Sequence, residues 1–132
     1  MYRVTVCYGK PTDPADFETH YAQVHAPLVL QVPGLSGYSS GRCAALDRSE
    51  PAYYYVAFLD FATEADYRTG LGSPEMGKAA ADVATFATGG VTMFTQQLDD
   101  HMAAGYSAGR YRTCRWSFSR PGSATVRSKD RI

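Results

Sequence analysis

The run Tyr21-Ala-Gln-Val-His25-Ala-Pro27-Leu28 sets an imidazole among apolar and aromatic residues just ahead of a proline. Imidazole is the one side chain whose unperturbed pKa lies in the physiological range, so a half-buried histidine beside tyrosines can move a proton if a ligand reaches it. The plainer reading is a helix histidine that packs beside Tyr21 and bonds a backbone carbonyl. Asp82 is the carboxylate to consider as its partner: at about 40° from Phe86 around a second helix, it borders that helix's apolar face. A solvated rim acid is the simpler role for it. Tyr21, Tyr38, Tyr54 and Tyr55 could donate hydroxyls to a carbonyl or a developing enolate. With ten tyrosines in the chain, packing is the commoner use of each. Leu28 and Phe86 are apolar candidates for lining a ligand site.

Other chemistries fit less well. His20 and His25 are five residues apart, about 140° around an ideal α-helix, so they should not converge on one ion as an i, i+4 pair would. His101 stands with Asp99 and Asp100 beyond the last strand and reads as a solvated turn. Cys7, Cys43 and Cys114 are odd in number and in no Cys-x-x-Cys arrangement, which disfavours a disulfide framework and a zinc site and leaves three reduced, packed thiols. Gly70-Leu-Gly72 separates two helices and does not follow a strand, so no phosphate-cradling loop is present. A nucleophile-elbow serine is absent too. Neither a metal nor a nucleotide cofactor is expected.

These residues must be positioned by a single domain, since 132 residues with a 45% hydrophobic fraction give one ordinary core. No apolar run approaches the roughly 18 to 20 residues that cross a bilayer. The amino terminus enters a strand without a secretory layout, so cytoplasmic residence is the default expectation. Thirteen basic and thirteen acidic residues cancel overall. From Gly105 to Ile132 there are seven basic residues and one acidic, a net +6, which leaves −6 on residues 1–104. The chain therefore divides into a body, 1–104, and a basic extension, 105–132. Nucleic-acid binding by the arginines and aromatics of the extension is a less favoured use of it than self-association or solubility.

Alternating residues from Tyr2 to Tyr8 mark a strand. Asp13-Pro14-Ala15-Asp16 starts a helix whose face should carry Phe17, Tyr21, Val24, His25 and Leu28, with Glu18, His20 and Gln23 mostly off it. Pro27 should loosen its last turn. Strands follow at Leu35–Ala45 and Tyr53–Phe61. The latter is apolar or aromatic on both faces, so its outer face needs a cover, most simply a second copy of the chain. Thr63 and Ser73-Pro74-Glu75 start a short helix and a longer one, the longer with Met76, Ala79, Ala80, Val83 and Phe86 on its apolar face. A fourth strand spans Val91–Leu98. The order β-α-β-β-α-β predicts an α+β, ferredoxin-like fold: a four-stranded antiparallel sheet with helices on one face.

The run Phe17-x3-Tyr21-x3-His25-Ala-Pro-Leu28, then Pro33-Gly34-Leu35-x2-Tyr38, then Ser73-Pro74-Glu75 with Asp82 and Phe86 before Gly89-Gly90-Val91, resembles the EthD family over about residues 1–100. The family takes its name from a protein linked to ethyl tert-butyl ether degradation. The resemblance implies a dimeric α+β barrel, a homodimer with its sheets face to face, in a pathway that handles small hydrophobic or aromatic compounds. It turns the reading of His25 toward a pocket. His25 is then the expected acid/base residue, with Asp82 and Tyr21 as catalytic partners and Tyr38, Tyr54, Tyr55, Phe86 and Leu28 against the substrate. Related dimeric barrels include cofactor-free monooxygenases, isomerases, cyclases, dehydratases and some haem proteins, and fold analogy does not choose among them. A non-catalytic protein that binds a hydrophobic ligand in the same pocket is the alternative.

Overall fold

The computed structural model describes residues 1–102; the basic extension 105–132 and Cys114 lie outside the described residues. Met1–Leu98 form one compact unit and the chain from Asp99 onward clusters separately. In the described part of the latter, Asp100 accepts from the Met102 N–H and His101 is exposed in a turn.

Within Met1–Leu98, β1 (Tyr2–Tyr8) is followed by α1 (Pro14–His20), a π-helical turn (Tyr21–His25) and α2 (Ala26–Val29), which run on as one helical element. Then come β2 (Leu35–Arg42), β3 (Tyr55–Phe61), α3 (Glu64–Leu71), α4 (Pro74–Phe86) and β4 (Val91–Gln97). The sheet is antiparallel in the order β2-β3-β1-β4, the ferredoxin-like arrangement that the pattern predicts. β2 stops at Arg42 and β3 begins at Tyr55, shorter than expected at both ends of that connection. Tyr53 and Tyr54 are therefore not strand residues, and Tyr53 is exposed.

The helix starts follow local rules. Asp13, Thr63 and Ser73 each accept, through the side chain, an otherwise orphaned N–H three residues on, and Pro14 and Pro74 occupy positions where no N–H is needed. Pro27 cannot donate to the Gln23 carbonyl, and the turn before it widens: the Ala26 N–H donates to the Tyr21 carbonyl five residues back. This wide turn corrects the expected helix face. Phe17, Tyr21, His25 and Val29 are buried at a constant spacing of four, a pattern that would precess by about 120° around an ideal α-helix. The π turn takes up the drift. Val24, expected inside, is 42% exposed, and Leu28 is only half-buried.

The core lies between helices and sheet. Val6 and Tyr8 of β1, Ala57, Leu59 and Phe61 of β3, Phe17, Tyr21 and Val29 of the first helical element, and Ala79, Val83 and Phe86 of α4 fill it. On the other side of the sheet Arg3 pairs with Asp60 at 2.8 Å and lies over the Phe58 ring, Phe94 is exposed, and the Thr5 hydroxyl is buried without a partner. Cys7 is buried and Cys43 half-buried, both as free thiols whose pKa burial pushes up. Among the described residues, no helix is long and apolar enough to cross a membrane.

Gly70 lets α3 press onto the sheet, because a Cβ there would sit 2.5 Å from Phe61 Cε1 and 2.9 Å from the Pro33 carbonyl oxygen. Gly70→Ala should cost about 1–3 kcal/mol by overpacking, read as a lower urea midpoint with an unchanged slope.

Candidate active site

The widened turn presents His25 toward the sheet and leaves it 4% exposed. From α4, Asp82 reaches across to it: Nδ1 of His25 lies 3.0 Å from Oδ2. An ionised carboxylate accepts here, so Nδ1 carries the proton and Nε2 keeps its lone pair. The ring packs against Tyr21 and Phe86 at centroid distances of 5.2 and 4.9 Å. Burial lowers the His25 pKa, and the hydrogen bond and charge of Asp82 only partly oppose it. For Asp82 burial is the largest influence and acts upward, yet the hydrogen bonds from the two histidines and Thr85 together carry the carboxyl pKa below its usual value.

The second of those histidines is His20. Its Nε2 lies 2.9 Å from Oδ1 and 3.0 Å from Oδ2 of Asp82. The ideal-helix argument that separated His20 from His25 therefore fails: the i→i+5 turn between them lets both rings meet one carboxylate. What they share is an anion, and no group of three or more His, Cys, Asp or Glu among the described residues could hold a metal ion.

His25 and Tyr21 line a cavity of about 380 Å³ between the helices and the sheet. Its walls are apolar, from Val4, Val6, Val29, Leu59, Met76 and Val83 among others, and Leu71 and Met93 are lining residues that stay exposed. Tyr8, Tyr67 and Thr95 complete its polar groups, and apart from His25 no ionisable base or carboxylate lines it. Tyr8 was legible in the sequence only as a strand residue, and its alternation with Val6 is the signal that puts it on this side.

The expected substrate residues are dispersed. The Tyr38 hydroxyl meets that of Tyr21 at 2.5 Å, so it acts behind the lining. Burial raises the pKa of both phenols, which keeps them protonated as donors at neutral pH. Tyr55 packs on Tyr21 and bonds Ser40 at 2.9 Å. Tyr54 lies against Phe17 and donates to Glu18, which also pairs with Arg42. Leu28 packs against the core, and Phe86 covers the His20 and His25 rings. Tyr54, Tyr55, Leu28 and Phe86 do not line this apolar cavity.

The family model for the EthD domain matches residues 9–90, a span that holds His20, His25 and Asp82. The chain belongs to the EthD family. An uncharacterized 11.0 kDa protein of Rhodococcus erythropolis, in the thcB-thcC intergenic region, is 48% identical over 98 residues, covering 74% of this chain and 95% of its own length. An EthD family protein from Bacillus halodurans superposes with a TM-score of 0.70 at 22% identity, over 75% of this chain and 99% of that one. A dimeric ferredoxin-like protein of unknown function from Thermobifida fusca gives 0.56 at 19% identity, over 74% and 90%. SnoaB from Streptomyces nogalater, described as a cofactor-independent oxygenase and solved as a point mutant, gives 0.55 at 17% identity, over 77% and 95%. At these identities the structures share the ferredoxin-like fold of this EthD chain.

A folded-state His25 pKa below the unfolded value of about 6.5 means that the unfolded chain takes up a proton first as pH falls. Stability should therefore decline as pH drops from about 6.5 toward the folded pKa. His25→Gln should flatten that slope in urea titrations between about pH 7.5 and 5. Asp82→Asn, by removing the charge that favours the imidazolium, should move the His25 midpoint lower still in an NMR titration.

Proposed function

We propose that this EthD protein is a homodimeric enzyme that performs acid/base chemistry, without a tightly bound cofactor, on a small uncharged hydrophobic or aromatic oxygenated molecule. The observation that carries the reading is a buried imidazole, held through Nδ1 by Asp82, in the wall of an otherwise apolar cavity. Nε2 of His25 takes a proton from an acidic C–H or O–H of the ligand and returns it at another position or to another atom. Asp82 keeps the tautomer and steadies the imidazolium. Tyr21, backed by Tyr38, donates to the oxygen on which negative charge develops. A lining without lysine or arginine favours neutral ligands over carboxylates and phosphates, and about 380 Å³ suits a molecule of a few fused or linked rings. Isomerisation, cyclisation, dehydration and cofactor-free oxidation all begin with such a step, and SnoaB, on the same fold, is described as a cofactor-independent oxygenase.

The same apolar lining also favours a second reading, in which the cavity holds a hydrophobic ligand unchanged. Base-catalysed deuterium exchange into an enolisable neutral aryl ketone, followed by NMR in D₂O, separates the two. His25→Ala should lower the exchange rate roughly 10²- to 10⁴-fold while retaining ketone binding. Exchange no faster than buffer in the native protein, with the ketone bound, supports the binding role.

The homodimer reading draws on the sheet face that carries Val56, Phe58 and Phe94, and on the dimeric description of the Thermobifida fusca protein. Sedimentation velocity should give twice the chain mass, and Phe58→Asp should shift it to one. Free Cys7 and Cys43 are consistent with work in the reducing cytoplasm.

A further inference from the structure

We propose that His20 is a working member of this site: it fixes the Asp82 carboxylate in register with His25 and couples the charge on His25 to solvent on the outer side of the helix layer. The proposal rests on His25 as the acid/base group and extends that reading to a residue that ideal-helix geometry leaves out.

One nitrogen of His20 lies within 3.0 Å of both carboxylate oxygens of Asp82, and Oδ2 is at the same time 3.0 Å from His25 Nδ1. Rotation of the carboxylate would break both histidine contacts. Side-chain exposure rises outward along the three groups, from 5% at His25 through 12% at Asp82 to 30% at His20. Outside, His20 forms part of the wall of a polar groove of about 470 Å³ with Thr12, Asp16, Gln23 and Thr85. Phe86 covers both imidazoles, with its centroid 4.9 Å from each. The apolar cavity thus has, behind its buried base, a polar connection to water that does not pass through the ligand.

One carboxylate compensates one imidazolium, and a second positive ring against it is repelled by the first. When His25 Nε2 takes a proton from the ligand, a protonated His20 releases its Nδ1 proton to water in the groove. Ligand–H, neutral His25 and His20 imidazolium become ligand anion, His25 imidazolium, neutral His20 and a hydrated proton, with charge conserved. No proton needs to rest on Asp82. The other charged groups at the groove are Asp13 and Asp16 at the start of α1. On the cavity side His25 faces the neutral phenols of Tyr8 and Tyr21.

Nitrogen-15 NMR titration of the intact protein tests this without a known substrate. His20→Gln keeps an N–H donor for the carboxylate but removes the titratable charge; His25 should keep its proton on Nδ1 while its midpoint moves up. His20→Phe removes both functions and should give mixed His25 tautomers as well as the higher midpoint. His25 shifts and midpoint identical to the native protein in both variants would overturn the proposal. Should His20→Phe not fold, Asp82→Asn serves: with a neutral amide in place of the carboxylate, His25 should lose its fixed Nδ1 proton and show mixed tautomers, and a retained single Nδ1 tautomer would refute the role of the carboxylate. Ketone exchange unaffected by His25→Ala would sink the acid/base reading while leaving this coupling measurable, so the two fail separately.

Discussion

A mostly buried carboxylate held between two imidazoles is the interaction on which the rest of this site depends. Removed from water without partners, Asp82 would carry a desolvation cost that no apolar contact offsets. Paired with His20 and His25 it ties the first helical element to α4, and Thr85 adds a further donor one turn away. The arrangement requires a helix that brings residues five apart onto one side. The π turn supplies this, and Pro27, which cannot close the α-helical bond, stands immediately after it. Backbone chemistry at one proline thus decides where two side chains can act.

The cavity has an equally local origin. Where β1 ends and β3 begins, at the paired Tyr8 and Tyr55, the space between helices and sheet is filled by stacked and edge-on rings of Tyr8, Phe17, Tyr21, Tyr55 and Phe86. Further along the strands, where Val6 pairs with Ala57, the facing residues are smaller, with Ala57, Ala79 and Ala80 in the lining. Space that larger side chains could fill with a gain in stability is retained beside a buried, oriented histidine. That combination is what the proposed ligand site rests on.

Much of this was legible in the sequence because it follows local rules. Asp13, Thr63 and Ser73 cap where their types and the following acids or prolines predict, and strand alternation correctly divides Val6 and Tyr8 from Thr5 and Cys7. His25, Asp82 and Tyr21 could be named together because each borders an apolar face. What failed was the assumption of a constant 100° per residue: it pointed Val24 inward and set His20 aside. The only available signals against it were Pro27 and the strict fours of Phe17, Tyr21, His25 and Val29. Tyr54 and Tyr55 illustrate a different gap, since which aromatic reaches a cavity depends on side chains from other elements that a pattern does not orient.

The catalytic reading proposed for this protein requires that Nε2 of His25 address a ligand in the apolar cavity. A crystal structure of the protein with a bound neutral phenol or aryl ketone would decide it. The ring should lie among Val6, Val29, Leu59 and Met76, with its oxygen function in hydrogen-bonding reach of His25 Nε2 or the Tyr21 hydroxyl. A ligand bound elsewhere, with side chains closed over His25, would contradict that requirement.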